Sequence, residues 1–425
     1  MGFHKKFLSS SILSVIDQGM LSALNFAIGA LLIRLVNKDD YGLYGQLYAG
    51  GLLVGLVVDS WIAGPLTTVA SAVHENTRKR LLRRYWYRQI FWTLAMAFLA
   101  FAAVEFLPAV THYSNKSWLL GTVFAAYLIG NGLREYSRTV GFIQSDIPSV
   151  LRQDVLYAGL VVSGLAIIYT FFQVELVAVF IVLALSSLLC ILLTLKHLMA
   201  RTTAIDVDDA EDMQVLASHQ ETIRGHGRWA VLGVIVGWLS NYSYVYLSGA
   251  WLGLSAIADL NASRLLLMPI PLAVAAWSRV ARPEASRLMA AQNWAGLRKL
   301  TLLSIGVIEL VVLAYVIVLL LALPWLEDYV IGSKYSGLDP LVMLWGGYFA
   351  VNAARWVGTS WLSSGGAFRS MFILGSVTLA LVITITSVSI PRWGSAGAIL
   401  ALIAVELFEL IVVWKFILPR LQKAS

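Results

Sequence analysis

Residues 11–72 read SILSVIDQGM LSALNFAIGA LLIRLVNKDD YGLYGQLYAG GLLVGLVVDS WIAGPLTTVA SA. Two apolar runs flank a polar break that extends from Arg34 to Tyr44. Each run is longer than the ~20 apolar residues needed to cross a bilayer. Each also carries an acid where lipid would sit, Asp17 in the first and Asp59 in the second. An ionised side chain at the bilayer centre costs about 3 kcal/mol or more, so it turns toward a bundle interior or a watery cavity. The stretch therefore predicts a two-helix membrane hairpin with one polar side.

The rest of the chain repeats this pattern. Of 425 residues, 59% are hydrophobic and 13% charged, about half the charge of a soluble domain. Backbone groups in lipid must be paired internally. Apolar runs of helical length recur, and none shows the ten-residue alternation of a membrane β-barrel. The expected fold is an all-α polytopic membrane protein of about twelve spans. Their approximate limits are 11–36, 42–72, 89–108, 117–143, 153–173, 176–196, 229–252, 257–281, 299–324, 339–364, 368–390 and 394–418. The basic N-terminal residues precede an apolar run with no small-residue cleavage site, so a retained first helix is expected.

Most of the 31 lysines and arginines fall in alternate loops, beginning with Lys5 and Lys6. Arg78 to Arg88, Arg134, Arg138 and Arg152 follow, then Arg201, Arg279, Arg282 and Arg369. This bias predicts both termini in the cytoplasm and an even number of spans. The net charge of +7 is thus a topology signal, not one for nucleic acid. One cysteine, Cys190, excludes an internal disulfide, and no metal-ligand spacing is present. No Gly-rich phosphate loop occurs, which argues against an ATP-driven motor in the chain.

A common offset in residue number lays the hairpin over the seventh and eighth spans, pairing Asn25 with Asn241, Val58 with Val274 and Trp61 with Trp277. Two six-helix bundles are expected, 1–198 and 227–425, pseudo-symmetric around a central cavity. A flexible linker at 199–226, acidic in its centre (Asp206, Asp208, Asp209, Glu211, Asp212), would join them. A parallel repeat of this kind suits a transporter that works by alternating access.

Intramembrane charges mark candidate sites. Arg264 precedes Pro269 and Pro271, which should break the helix and free backbone groups for a cavity or a neighbouring helix to satisfy. A guanidinium binds phosphate in a bidentate fork, so Arg264 reads as an anion site; the alternative is an ion pair with Asp17 or Asp59. Arg34 suits either an outer cavity mouth or the interface. Asp17 and Asp59 suit either arginine partners or the site of a coupling proton or cation. Asn25, Asn241, Tyr242, Tyr244 and Tyr246 suit sugar hydroxyls or polar contacts between helices. Arg355 with Glu406 and Glu409 reads as a structural pair in outer helices. The six histidines lie at termini or loops and outer loops are short, so the chain is not expected to be an enzyme and no cofactor or metal is implied.

The run Leu24 to Tyr44, with Arg34 and the turn Tyr41-Gly42-Leu43-Tyr44, resembles the opening of polysaccharide-unit flippases (O-antigen or exopolysaccharide repeats). These belong to the multidrug/oligosaccharidyl-lipid/polysaccharide exporter superfamily. Their second half echoes the turn with Gly-x-Tyr-x-x-Ala-x-Arg; here Ala258 and Leu260 replace Gly and Tyr, while Arg264 is kept. The resemblance implies flipping of an undecaprenyl-diphosphate-linked oligosaccharide across a bacterial inner membrane. Arg264, then Arg34, would hold the diphosphate or acidic sugars. It implies membrane lipid, a polysaccharide polymerase and a chain-length regulator as partners, and no nucleic acid. Two rival readings are a multidrug or cation exporter of the same superfamily, which would want an acidic aromatic cavity, and a membrane polysaccharide polymerase or glycosyltransferase, which would want a large outer loop.

Overall fold

The computed structural model describes residues 2–106, 117–203, 210–364 and 367–420. The described residues form helices and short connections, as the apolar runs require. The first six helices are α1 (Gly2–Leu35), α2 (Lys38–Ala70), α3 (Glu75–Phe106), α4 (Ser117–Ile143), α5 (Ile147–Phe171) and α6 (Leu176–Thr202). The next four are α7 (Ala210–Leu252), α8 in two pieces (Leu254–Leu265 and Pro269–Ala290), α9 (Trp294–Leu326) and α10 (Asp339–Ser364). The run Phe368–Val412 contains Pro391 and a positive φ of 57° at Gly394. Ser389 Oγ donates to the Gly397 carbonyl at 2.8 Å, whereas an unbroken helix would separate these residues by about 12 Å. The chain doubles back there, giving α11 (368–393) and α12 (395–417) and, among the described residues, twelve long helices.

Two spans stand out for their composition. α4 carries Arg134, Glu135 and Arg138, and α10 carries Arg355. Each is the most enclosed helix of its neighbourhood: α4 packs on α3 and α6, and α10 on α9, the second piece of α8 and the α11–α12 pair. Charges are tolerated there because neighbouring helices neutralise them.

The chain divides into two compact units. The first is Met1–Gly29 with Leu47–Ile235, the second Ala30–Gln46 with Val236–Ser425. These limits differ from the expected 1–198 and 227–425 in two respects. α7 begins at Ala210, so much of the expected flexible linker is helical; Asp206, Asp208 and Asp209 lie outside the described residues. And the tip of the first hairpin belongs to the second unit.

The tip's bonds explain the second difference. Lys38 Nζ lies 2.7 Å from Asp259 Oδ1 and 5.0 Å from the centre of the Tyr335 ring. Lys334 donates to the Arg34 carbonyl at 3.1 Å and also to that of Val36. Burial, then the nearby Lys38 charge, lowers the Lys334 pKa. Tyr246 donates to the Gln46 carbonyl at 2.9 Å. Glycines allow the close approach: a Cβ on Gly42 would sit 2.0 Å from the Leu254 carbonyl oxygen.

In the first unit, α2 widens to a π turn at Asp59–Ala63 just ahead of Pro65, where proline lacks the N–H that would continue the ladder. Below it, Ile62, Leu66, Leu81, Trp86, Tyr136, Val140 and Ile223 form a buried core.

Candidate functional site

A cavity of about 490 Å³ opens within the second unit. Three arginines line it, Arg264 from α8, Arg282 from the second piece of α8 and Arg355 from α10, with Asn241, Tyr348, Asn352, Trp356 and Thr359. Among the described residues no aspartate or glutamate lines it. Its size falls within the roughly 300–1,000 Å³ typical of ligand pockets.

Arg264 is held by aromatic faces. Its guanidinium carbon is 5.6 Å from the Tyr242 ring centre, 5.9 Å from Tyr244 and 5.3 Å from Trp345. Nη1 donates to the Tyr244 hydroxyl at 2.8 Å, and Nε is buried with no hydrogen-bond partner. Among the described residues no acid forms an ion pair with Arg264, so the alternative pairing with Asp17 or Asp59 is not found. Cation–π contacts orient a guanidinium without cancelling its charge, leaving it able to bind an anion.

Residues at the helix break, Met268 and Pro271, line the cavity. The two pieces of α8 are bent by 48° ahead of Pro269 and Pro271. The prolines cannot donate, and Tyr315 fills part of the gap, its hydroxyl donating to the freed Leu266 carbonyl at 2.6 Å.

Arg355 pairs with both glutamates, which stand three apart on one helix face. Nε contacts Glu406 and lies 3.0 Å from Glu409 Oε2, and Asn352 Nδ2 donates to Glu406 at 3.0 Å. The expectation that this group lies in outer helices is corrected: α10 is enclosed, and Arg355 and Asn352 line the same cavity as Arg264. Two acids behind one arginine neutralise it, so it braces the wall rather than offering free charge.

The other candidates are placed as follows. Asn241 lines the cavity, its side chain donating to the Gly237 carbonyl at 2.8 Å. Tyr242 and Tyr244 face Arg264 instead. Arg34 is exposed and donates to the Tyr329 carbonyl beside the hairpin tip, apart from this cavity's lining. Asn25 and Asp59 are exposed in the first unit.

Asp17 is almost completely buried in its own unit. Arg138 Nη2 lies 3.0 Å from Asp17 Oδ2, and Arg138 Nε lies 2.7 Å from Asp154 Oδ2. Arg134 reaches Asp154 Oδ1 at 2.7 Å and Glu135 at 2.6 Å, and its guanidinium lies 4.0 Å from the Tyr157 ring centre. The Asp154 side chain is 0% exposed. Two guanidiniums thus face three carboxylates. In the sequence Arg134 and Arg138 read with the basic loops, and Glu135 and Asp154 do not stand out; their signal is acids and arginines inside two otherwise apolar runs. Among the described residues no three His, Cys, Asp or Glu side chains come together so as to hold a metal ion.

Fold and site together define an all-helical polytopic membrane protein with a cavity lined, among the described residues, by arginines and by no acid. Solved structures share this fold. An inward-facing multidrug-resistance MATE transporter of the MOP superfamily matches with a TM-score of 0.73 at 12% identity, over 95% of this chain and 95% of that one. The lipid II flippase MurJ, in an inward closed conformation, matches with a TM-score of 0.71 at 11% identity, over 96% of this chain and 86% of that one. A MOP-superfamily transporter from Pyrococcus furiosus, described as having a binding pocket of reversed polarity, matches with a TM-score of 0.68 at 13% identity, over 99% and 97%. No protein-family model matches the sequence, and no curated protein matches it.

Proposed function

We propose that the protein translocates an anionic lipid-linked oligosaccharide, of the polyprenyl-diphosphate class, across a membrane by alternating access. The observation that carries this reading is Arg264: a guanidinium fixed by three aromatic rings and, among the described residues, without an acidic partner and on a cavity with no carboxylate in its lining. Such a group takes a phosphate oxygen pair in its planar fork. The polyprenyl tail would remain in lipid while the cavity holds the headgroup. MurJ, which shares the fold, is described as a lipid II flippase, and the Pyrococcus protein's reversed pocket polarity parallels the basic lining here. The expected setting is a bacterial inner membrane with both termini cytoplasmic, and the reaction is transport without bond chemistry.

Coupling to a proton or cation falls to Asp17 in preference to Asp59. Asp17 shares Arg138 with Asp154 in a cluster carrying one more acid than base, and one bound cation or proton would balance it. Asp59 is exposed on the π turn.

The test replaces Arg264 with Ala in a strain lacking the chromosomal copy and measures surface glycan at matched protein level. Loss of glycan supports the assignment; unchanged glycan removes Arg264 from the cargo site. The rival reading of multidrug export is favoured by one observation, the fold shared with MATE transporters. It predicts drug sensitivity on deletion with normal surface glycan.

A further inference from the structure

In the first unit the beginnings of α3 and α7 pack side by side. Residues 75–88 and 217–228 hold eight lysines and arginines against two acids, Glu75 and Glu221. Ile223 shares a buried core with Leu81, Leu82 and Tyr85, and Arg88 Nη2 donates to Gln220 Oε1 at 3.1 Å. The Arg88 guanidinium also lies 4.8 Å from the Tyr85 ring centre. Arg84 and Arg224 are close enough to act electrostatically on the same tyrosine. Lys79 pairs with Glu75 at 2.7 Å. Arg83, Arg84, Arg224 and Arg228 are exposed and, among the described residues, form no ion pair; nor does Glu221, one turn from Arg224. A topology signal asks only for basic residues beside the spans. It does not ask that guanidiniums from two helices gather round one ring.

These arginines sit at the depth of lipid headgroups. Arg84 stands five residues ahead of the apolar run 89–108, and Arg224 five ahead of 229–252. Five residues advance a helix by about 7.5 Å, against a headgroup layer about 5–8 Å deep. Exposed Tyr87, Phe91 and Trp229 follow, as an interfacial belt should. Exposed Phe98, Leu99 and Leu232 continue along the same helices. A guanidinium takes phosphate oxygens in its planar fork, and a polybasic segment at this depth draws acidic lipid. We infer that this face of the first unit binds an anionic phospholipid. The phosphodiester lies among Arg84, Arg88 and Arg224, and the acyl chains run against the aromatic collar. Arg88, already stacked and hydrogen-bonded, is the fixed point, and Arg84 and Arg224 close round the headgroup. The face shares no residue with the lining of the Arg264 cavity, so the lipid binds whatever the cargo is.

The test offers the purified full chain, in neutral detergent, equal amounts of phosphatidylglycerol and phosphatidylcholine with the same acyl chains. Native mass spectrometry reads the ratio in which the two are retained. Wild type should favour phosphatidylglycerol about tenfold or more, the scale of two arginines at a membrane surface. Arg84→Gln with Arg224→Gln should lower that ratio about fivefold or more. Arg298→Gln with Lys299→Gln, which removes equal charge at the start of the apolar run of α9, should leave it unchanged. All four side chains are exposed, so both double variants should fold, which a melting curve checks. A wild-type ratio near one, or equal losses from the two double variants, overturns the inference. Release of bound phosphatidylglycerol by millimolar inorganic phosphate overturns it too, because the face then takes phosphate without the lipid. A low wild-type ratio that rises with Asp206→Asn, Asp208→Asn and Asp209→Asn together assigns the face to the chain's own acidic segment instead.

Discussion

Arg264 owes its position to aromatic rings, and that has a consequence for substitution. Lysine keeps the charge but loses the planar fork and much of the stacking on Tyr242, Tyr244 and Trp345. Arg264→Lys should therefore cost transport about tenfold or more, the scale of a lost charge-assisted hydrogen bond, while the melting temperature stays near wild type; recovery of full transport by lysine would show that a point charge suffices. Arg138 is the contrasting case. Arg138→Ala strands Asp17 in a buried site and leaves Asp154 with Arg134 alone, and losing one partner of a buried pair costs about 3–5 kcal/mol. Thermal unfolding in detergent should show that loss, and Arg138→Lys should recover part of it. The sequence made Arg264 visible because one arginine stood alone in an apolar run ahead of two prolines. It hid Arg138, since an arginine near a span end looks like a loop charge, and its partner Asp17 lies 121 residues away in sequence. The aromatic cage was equally hidden: Tyr242 and Tyr244 are near Arg264 in sequence, but Trp345 arrives only through packing.

At the scale of elements, the broken eighth helix shapes the cavity, and the tip of the first hairpin packs within the second unit. The lengths of the apolar runs announced twelve helices, and Pro269 with Pro271 announced the break. The sequence did not show that residues 30–46 pack with the second unit, because Lys38–Asp259 and Lys334 with the Arg34 carbonyl are pairings between distant positions. Two glycines test that packing. Ala at Gly42 drives a Cβ into the Leu254 backbone carbonyl, whereas Ala at Gly45 crowds the Asn261 side-chain amide and makes ordinary contact with Ile257. That amide nitrogen has no hydrogen-bond partner, so moving it forfeits little. Gly42→Ala should lose about 1–3 kcal/mol, the usual cost of overpacking, and Gly45→Ala clearly less; equal melting temperatures would refute the close approach of α2 to α8. At the break, Tyr315→Phe leaves the Leu266 carbonyl unpaired and should cost about 1–3 kcal/mol, measured the same way.

For the whole molecule, the central claim is that an anionic lipid-linked glycan crosses the membrane by way of the Arg264 cavity. Composition and span count reached the fold class, and the shared fold of MATE and MurJ transporters agrees with it. The cargo could not be read in the same way, since it depends on which charges are left uncompensated after folding: Arg355 is cancelled by Glu406 and Glu409, while Arg264 is not. A cavity without carboxylates should also bind organic cations poorly, so deletion of the protein should leave sensitivity to cationic drugs unchanged. The most direct measurement is translocation of a fluorescent polyprenyl-diphosphate oligosaccharide across vesicles containing the purified full chain, wild type beside Arg264→Ala at equal protein density. The account predicts translocation by wild type and a loss of about tenfold or more in the variant; equal rates in the two, or no translocation by wild type, would contradict it.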